Sequence, residues 1–349
     1  MRGERLGIQS IVDAAELQRA LVDELRHYFG RQLEIVKMER RVSEYCSSFI
    51  IEELDVTLDD GTFLALAFKD LSPNALMKGA GSVKPSFFYN PLREIDTYRQ
   101  ILVHHRLGTA TCFGACVDRD IDRYWLFLER LPPVLLWQMG DLAEWEKVAA
   151  WLAGMHHFLV RETEVLESGH IAHLIKYDHR FYRRWITRAV EFVTLGDRSS
   201  TRGAASSIDW LAGRYERVIE RLTALPVTVI HGEFFASNVM LDPTAERPRV
   251  CPVDWEMASI GPGSVDLAGL TSGGWPREKK DAMAMAYYHA LPSSITATLD
   301  IPTFMTDLEY CRLHQAVQWL GWSPGWSPPP EHAQNWLNEA IESAERLGL

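Results

Sequence analysis

The sequence predicts an α+β protein in which a small antiparallel β lobe precedes a larger, mostly helical lobe. Two observations support this fold class. Short runs typical of strands fall between residues 33 and 129, and runs with helical spacing dominate after residue 141. The stretch Leu131-Pro-Pro133 breaks the chain between the two patterns. The predicted domains are therefore residues 1–130 and residues 131–349.

The first lobe opens with a predicted amphipathic helix at residues 11 to 29, which ends at Gly30. A second helix begins at Asn90-Pro91, because asparagine caps helices well and proline suits the first helical position. Strands are predicted at residues 33 to 38, 44 to 56, 62 to 69, 109 to 117 and 124 to 129. An irregular insertion, residues 70 to 89, is predicted to be either a lid or a plain surface loop.

The second lobe becomes helical from Asp141, and residues 226 to 230 form the one clear apolar strand before its main motif. His156 and His157 follow the first helical stripe, where a structural role is expected. The clustered Trp319, Trp322 and Trp326 are predicted either to line a pocket or to attach the tail to the lobe. Further helices are predicted at residues 180 to 193, 208 to 224, 276 to 291, 303 to 320 and 331 to 346.

Composition narrows the function classes. The 349 residues are 47% hydrophobic and 11% aromatic, which is typical of a globular protein with ample core. A net charge of −11 argues against nucleic acid or an anionic membrane as a partner. The five cysteines show no metal-like spacing, so reduced thiols are expected. No apolar signal core or membrane-spanning run is present, so we expect a cytoplasmic protein.

Most of the candidate catalytic and metal-binding residues lie in two short segments of the second half of the chain. Apolar runs flank a polar turn between Val229 and Glu256, which predicts an antiparallel hairpin. That geometry would bring Asn238 next to Asp254, with Glu233 in the loop that enters the same edge. Carboxylate and amide oxygens suit Mg²⁺, so Asn238 and Asp254 are the candidate metal ligands.

The residues His231-Gly-Glu-Phe-Phe-Ala-Ser-Asn238 and Val253-Asp-Trp-Glu256 resemble the two signature segments of the aminoglycoside phosphotransferase and choline kinase-like enzymes. This resemblance implies a two-lobed protein-kinase-like fold. The family's usual first segment reads His-Gly-Asp-x-x-x-x-Asn, so Glu233 stands where the family has its catalytic Asp. The resemblance also implies that Asp266 supports the catalytic loop.

The resemblance implies a nucleotide site in the first lobe. Ala67 is small enough for a base to approach the strand, and Lys69 on the same face can reach the phosphates. The alternative is a strand that ends in a solvated lysine. Glu94 lies on the apolar side of the helix that begins at Asn90-Pro91. It therefore needs a cationic partner, for which Lys69 is the candidate.

Two weaker candidates complete that site. Residues 43 to 48 contain no glycine, but Ser47 and Ser48 could offer hydroxyl and backbone donors to a phosphate. The connector at residues 128 to 131, which includes Glu129, could offer main-chain groups to the edge of the base.

The implied activity is that of a small-molecule kinase using ATP or GTP with Mg²⁺. The acceptor would be a hydroxyl of an aminoglycoside-like compound, an amino alcohol, a sugar or an antibiotic intermediate. Glu233 would orient or accept the hydroxyl proton, and Asn238 and Asp254 would hold the metal. Two alternatives stay open: a pseudokinase or regulatory module that binds nucleotide without turnover, and a fold reused for another transfer reaction. The sequence does not define the oligomeric state.

Overall fold

The computed structural model describes residues 12–44, 48–77, 81, 84–104, 107–165, 173–195, 201–242, 249–322 and 335–349. The chain divides into two compact units. The first consists of Met1–Lys84, Tyr89–Pro133 and Asp242–Glu256. The second consists of Pro85–Phe88, Val134–Leu241 and Met257–Leu349. Residues 242–256, which contain the second signature segment, thus cluster with the β-rich unit.

The first unit is built on a five-stranded antiparallel sheet with the strand order β1-β2-β3-β5-β4. Alternating burial along β2 indicates that one face of the sheet is covered. Helix α1 packs there, because Leu17, Leu21 and Leu25 form a fully buried stripe among the apolar side chains of the strands. The elements are α1 (Ala14–Phe29), β1 (Ile35–Val42), β2 (Ile51–Leu58), β3 (Phe63–Asp70), α2 (Pro91–Asp96), β4 (Cys112–Asp118) and β5 (Arg123–Glu129).

The second unit is mostly helical. It also contains a small sheet with the strand order β6-β10-β7, in which β10 runs parallel to β6 and antiparallel to β7. Its helices are α3 (Leu142–Val165), α4 (His179–Leu195), α5 (Thr201–Ala212), α6 (Tyr215–Thr223), α7 (Ser264–Leu270), α8 (Arg277–Ala290), α9 (Ser293–Thr296), α10 (Ile301–Leu320) and α11 (Trp336–Arg346). Its short strands are β6 (Ile175–Lys176), β7 (Val227–Ile230) and β10 (Ser259–Pro262). Of the two remaining strands, β8 (Val239–Asp242) belongs to the second unit up to Leu241, and β9 (Arg249–Pro252) belongs to the first unit.

The mixed α+β class predicted from the sequence is confirmed, and two element boundaries are corrected. Strand β1 continues to Val42 and β2 begins only at Ile51. The charged residues at the end of β1 did not look like part of a strand in the sequence. They are accommodated there because Arg40 forms an ion pair with Glu52 of β2. The single helix predicted at residues 208 to 224 is two helices, α5 and α6, separated at Gly213.

Within the part of the chain that the structure describes, no helix is both long and apolar enough to cross a membrane.

Candidate active site

In the first unit, Lys69 lies between two carboxylates. Its Nζ donates to both carboxylate oxygens of Glu94, at 2.8 and 2.6 Å, and to Oδ1 of Asp254 at 2.9 Å. Strand β3 presents Lys69 and helix α2 presents Glu94, while the turn after β9 presents Asp254. The side chains of Lys69 and Glu94 are buried, so each needs the other's charge. The partner that the sequence indicated for Glu94 is therefore in place.

The electrostatics of this cluster keep the lysine charged. Burial by itself would lower the pKa of Lys69, but the carboxylates of Asp254 and Glu94 outweigh burial and raise the pKa. A fixed positive charge of this kind suits the binding of phosphate oxygens.

The backbone at Asp254 is strained. Its φ of 67° lies in the left-handed region, which residues other than glycine rarely adopt, although Asp and Asn tolerate it best. Such strain is typical of positions where the fold holds a side chain in a functional orientation. Here the turn directs the carboxylate of Asp254 to Lys69.

A second ion pair adjoins the first and was missed by the sequence analysis. Lys84, from the irregular insertion, donates through Nζ to Oε2 of Glu256. The hydroxyl of Ser48 donates to the other oxygen of Glu256, at 3.2 Å. Arg93 donates through Nη1 to the main-chain oxygen of Glu256, at 2.6 Å. Phe88, close after Lys84, is buried. The aromatic pair Phe87-Phe88 was the available sequence signal that this end of the insertion is not exposed.

The remaining nucleotide-site candidates lie in or near the sheet of the first unit. Ala67 is in the middle of β3, half-buried and paired in register with Leu128 of β5. The carboxylate of Glu129 accepts hydrogen bonds from Thr111 and ion-pairs with Arg249, so its side chain is held within this unit. Ser47 lies outside the described residues.

In the second unit, the loop after β7 carries Glu233. Gly232 precedes it with a φ of 87°, and a Cβ at this position would lie 2.3 Å from the main-chain oxygen of Met257. Only glycine fits this close approach without strain. The loop that carries Glu233 thus begins at a position where the backbone has no room for a side chain.

Asp266, at the beginning of α7, holds this loop by its main chain. Its carboxylate accepts the N–H of His231 at 2.7 Å and the N–H of Gly232 at 2.9 Å. It also lies 3.1 Å from Nε2 of His156, whose Nδ1 is 2.9 Å from the hydroxyl of Tyr287. Asp266 and His156 are both buried. His156 therefore has a structural role, and the sequence had not indicated its link to the loop.

Asn238 is tied to the same loop. Its Nδ2 donates to the main-chain oxygen of Glu233 at 3.0 Å, and its N–H donates to the main-chain oxygen of Phe235 at 2.8 Å. Because the amide nitrogen is used in this way, its oxygen Oδ1 is the atom suited to ligate a cation. Asn238 belongs to the second unit and Asp254 to the first. Their predicted proximity stays a prediction.

Glu233 lines a small, open cavity in the second unit. Aromatic and amide side chains form part of its wall, including Phe235, Gln315, Gln318 and Trp319. The rings of Phe235 and Trp319 lie 5.4 Å apart. Trp319 therefore lines a pocket, whereas Trp322 is buried against Trp185. Trp326 lies outside the described residues.

Among the described residues, no group of three or more His, Cys, Asp and Glu side chains is arranged to hold a metal. An Mg²⁺ site made from one carboxylate, one amide oxygen, phosphate oxygens and water needs no such group. Asp254 and Asn238 each carry an oxygen atom of this kind, and their role as metal ligands stays a prediction.

Solved structures with the same fold include several small-molecule kinases. A microcompartment-associated aminopropanol kinase has a TM-score of 0.55 and 14% identity, covering 95% of this chain and 94% of the other. A choline kinase from Cryptosporidium parvum has a TM-score of 0.56 and 13% identity, covering 96% and 95%. The GDP complex of aminoglycoside 2'-phosphotransferase-IIIa has a TM-score of 0.53 and 13% identity, covering 94% and 97%. At these identities, the likeness shows a shared protein-kinase-like fold.

A comparison with curated protein sequences gives no match. The family model APH, described as the phosphotransferase enzyme family, matches residues 92–297. This match covers more than half of the chain and includes both signature segments. The chain therefore belongs to the phosphotransferase enzyme family, whose members transfer a phosphoryl group to a hydroxyl group of a small molecule.

Proposed function

We propose that this protein is a kinase that transfers the γ-phosphoryl group of ATP or GTP to a hydroxyl group of a small molecule, with Mg²⁺. The observation that carries the proposal is the buried Lys69, which is bound at once by Glu94 and Asp254. A structural ion pair needs only one carboxylate. A lysine held by one carboxylate beside a second one that can ligate Mg²⁺ is the arrangement that kinases use to neutralise transferring phosphates.

The proposed roles follow from charge. Lys69 binds phosphate oxygens and Glu94 fixes it in place. Asp254 and Asn238 hold Mg²⁺, which would neutralise the charge that develops on the phosphate oxygens. Phosphoryl transfer then breaks the bond between the γ-phosphorus and the β,γ-bridging oxygen and forms a bond from phosphorus to the acceptor oxygen.

Glu233 is the proposed base. The acceptor hydroxyl loses its proton as the new bond to phosphorus forms, and a carboxylate in the cavity can take it. The cavity that Glu233 lines is the proposed acceptor site. Its aromatic rings and neutral amides suit a small polar molecule with an apolar part.

The base of the nucleotide would bind at the connector after β5. The N–H of Glu129 donates to Thr111 and the N–H of Arg130 donates to Ala65. Because these two N–H groups are already used, we assign recognition of the base to the main-chain carbonyl groups of this connector and to the main chain of Leu131. Ala67 is the small residue that would lie beneath the ring of the base. Ser48 is the proposed phosphate contact from the turn between β1 and β2, and Ser47 stays a candidate from the sequence.

The candidate acceptors of the phosphoryl group are amino alcohols, aminoglycoside-like amino sugars, simple sugars and antibiotic intermediates. The similar structures named above act on aminopropanol, choline and aminoglycosides. These compounds therefore come first in a screen.

The first experiment is a thermal-shift titration with ATP and GTP, each with and without Mg²⁺. A Mg²⁺-dependent rise in Tm is expected, because a ligand that binds only the folded state stabilises it. In Asp254→Asn, which keeps a residue tolerant of the strained backbone, the Mg²⁺-dependent part should disappear. No shift at millimolar nucleotide would overturn the proposal in favour of a fold reused for other chemistry.

The presence of Glu233 in place of Asp favours one further candidate, a protein that binds nucleotide without turnover. The extra methylene displaces the carboxylate by about one ångström, which can cost about 100-fold in rate. Nucleotide binding without phosphorylation of any acceptor in the screen would support this candidate. Turnover of any acceptor would exclude it.

A further inference from the structure

The carboxylate of Glu256 is enclosed by donors from two separate segments of the first unit. Lys84 Nζ binds one of its oxygens, and Ser48 Oγ donates to the other at 3.2 Å. The side chains of Lys84 and Glu256 are only 7% and 13% exposed. We call Ser48, Lys84 and Glu256 the Glu256 cluster.

The cluster adjoins the phosphate-binding groups of the proposed function. Glu256 is two residues from Asp254, and its charge helps to raise the pKa of Lys69. The main-chain oxygen of Glu256 is fixed by Arg93, whose pKa burial lowers to about 10. Three cations (Lys69, Lys84, Arg93) thus balance three carboxylates (Glu94, Asp254, Glu256) in this part of the unit.

A structural role alone explains this arrangement poorly. Burying a lysine and a glutamate costs desolvation energy that a salt bridge recovers only in part, and an apolar pair would hold an insertion equally well. An ammonium group and a hydroxyl that converge on one anion are, however, the donors that bind a phosphate oxygen. The main chain of Glu256 is fixed, but its carboxylate is joined to it by rotatable bonds.

We propose that Lys84 is a second phosphate-binding cation of the nucleotide site, and that Glu256 holds it in position until a phosphate replaces the carboxylate. The inference rests on the proposed function, since it requires a nucleotide at Lys69. In the empty state Glu256 satisfies Lys84 and Ser48. When a nucleotide binds, both donors turn to its phosphates, and Glu256 competes with the ligand for them.

The test measures the Kd of ADP by calorimetry. EDTA is present so that any metal bound by Asp254, two residues before Glu256, does not affect the Kd. The variants are Lys84→Met, Glu256→Gln and the double variant. Lys84→Met should raise the Kd by about tenfold, the value of one charged hydrogen bond. Glu256→Gln should lower the Kd, because the competing carboxylate is gone.

The double variant separates competition from general repulsion. If Glu256 acts by holding Lys84, its replacement should improve binding much less when Lys84 is already Met. In Lys84→Met alone, the carboxylate of Glu256 is left buried without its cation, and this variant could fold poorly. The comparison of Glu256→Gln with the double variant measures the effect of Lys84 on the Kd without that problem. Lys84→Arg keeps a cation and should bind ADP more tightly than Lys84→Met.

A matched control is Lys147→Met, which removes an exposed lysine paired with Glu144 and should leave the Kd unchanged. If Lys84 is only a structural link, Glu256→Gln will weaken binding or leave it unchanged, and this overturns the inference. An unchanged Kd in Lys84→Met would do the same while the proposed function stands. If the wild-type protein binds neither ADP nor Mg-ATP, the proposed function itself fails.

Discussion

At the scale of single residues, the groups proposed to react lie where the backbone is least free. Gly232 and Asp254 both have positive φ values, and each lies in one of the two signature segments. The main chain around Glu233 is fixed by Asp266 and by Asn238. The carboxylate of Glu233 is therefore presented by a firmly held loop.

Glu233→Gln tests the proposed base. The substitution keeps size and polarity but removes the group that accepts the proton. We expect kcat to fall by about 10²- to 10⁴-fold with nucleotide affinity unchanged, as measured by steady-state kinetics and calorimetry. Glu233→Asp, which restores a carboxylate, should retain more activity than Gln. A Gln variant with full kcat would exclude Glu233 as the base.

Gly232→Ala tests the close approach beneath the loop. Its Cβ would lie 2.3 Å from the main-chain oxygen of Met257, at a φ that favours glycine. We expect a loss of about 2 kcal/mol or more in the free energy of unfolding, measured by urea denaturation. Gly140→Ala is the control, because a Cβ there meets nothing within 4 Å. Equal stability of the two variants would contradict the close approach.

At the scale of elements, helix α1 and the sheet of the first unit form one apolar core. Leu17, Leu21 and Leu25 have no exposed surface, and Asp13 caps the helix by accepting the N–H of Glu16. The sheet that this core supports also carries Lys69 on β3. The packing of α1 against the sheet therefore helps to determine how rigidly Lys69 is held.

Leu21→Ala should destabilise the first unit by about 2 to 5 kcal/mol, because it leaves a cavity in a closed core. Urea denaturation measures this change. The control is Arg19→Ala on the exposed side of the same helix, which should alter stability by less than about 0.5 kcal/mol. Similar losses in both variants would mean that α1 does not pack through the predicted face.

At the scale of the whole molecule, each unit contains one part of the proposed machinery. The first holds Lys69, Glu94, Asp254 and the Glu256 cluster, and the second holds Glu233, Asn238 and the cavity. A change in the stability of either unit should therefore alter activity without any change in the reacting groups. Buried ionisable groups make such stability depend on pH.

His314 of α10 provides a pH test. It is buried against the rings of Tyr177 and Tyr182, and the hydroxyl of Tyr215 lies 3.0 Å from its Nδ1. Burial lowers the pKa of His314 from 6.5 to about 3. Between these values only the unfolded chain takes up the proton, so stability falls as the pH decreases through 6.5.

Between pH 7.5 and 5.5, His314 should lower the free energy of unfolding by about 1.4 kcal/mol. Urea denaturation at both pH values should show this loss in the wild-type protein. In His314→Gln, which cannot be protonated, the loss should be smaller by that amount. An identical pH dependence in both proteins would show that His314 is accessible to protons in the folded state.

The amino-acid sequence by itself determined the fold class, the two signature segments and the pairing of Lys69 with Glu94. These features depend on periodicity, on local spacing and on the rule that a buried charge needs a partner. The Lys69 pair was predictable because the family resemblance implies a lysine on this strand and a glutamate on the helix that follows, and Glu94 lies on the apolar side of that helix.

Only the tertiary structure revealed the Glu256 cluster, the link from His156 to Asp266 and the strain at Asp254. Lys84 and Glu256 are 172 residues apart, and His156 and Asp266 are 110 apart. Contacts over such separations follow from how whole elements pack, which no local pattern encodes. A buried lysine and a solvated one look the same in a sequence, because burial is a property of the folded chain.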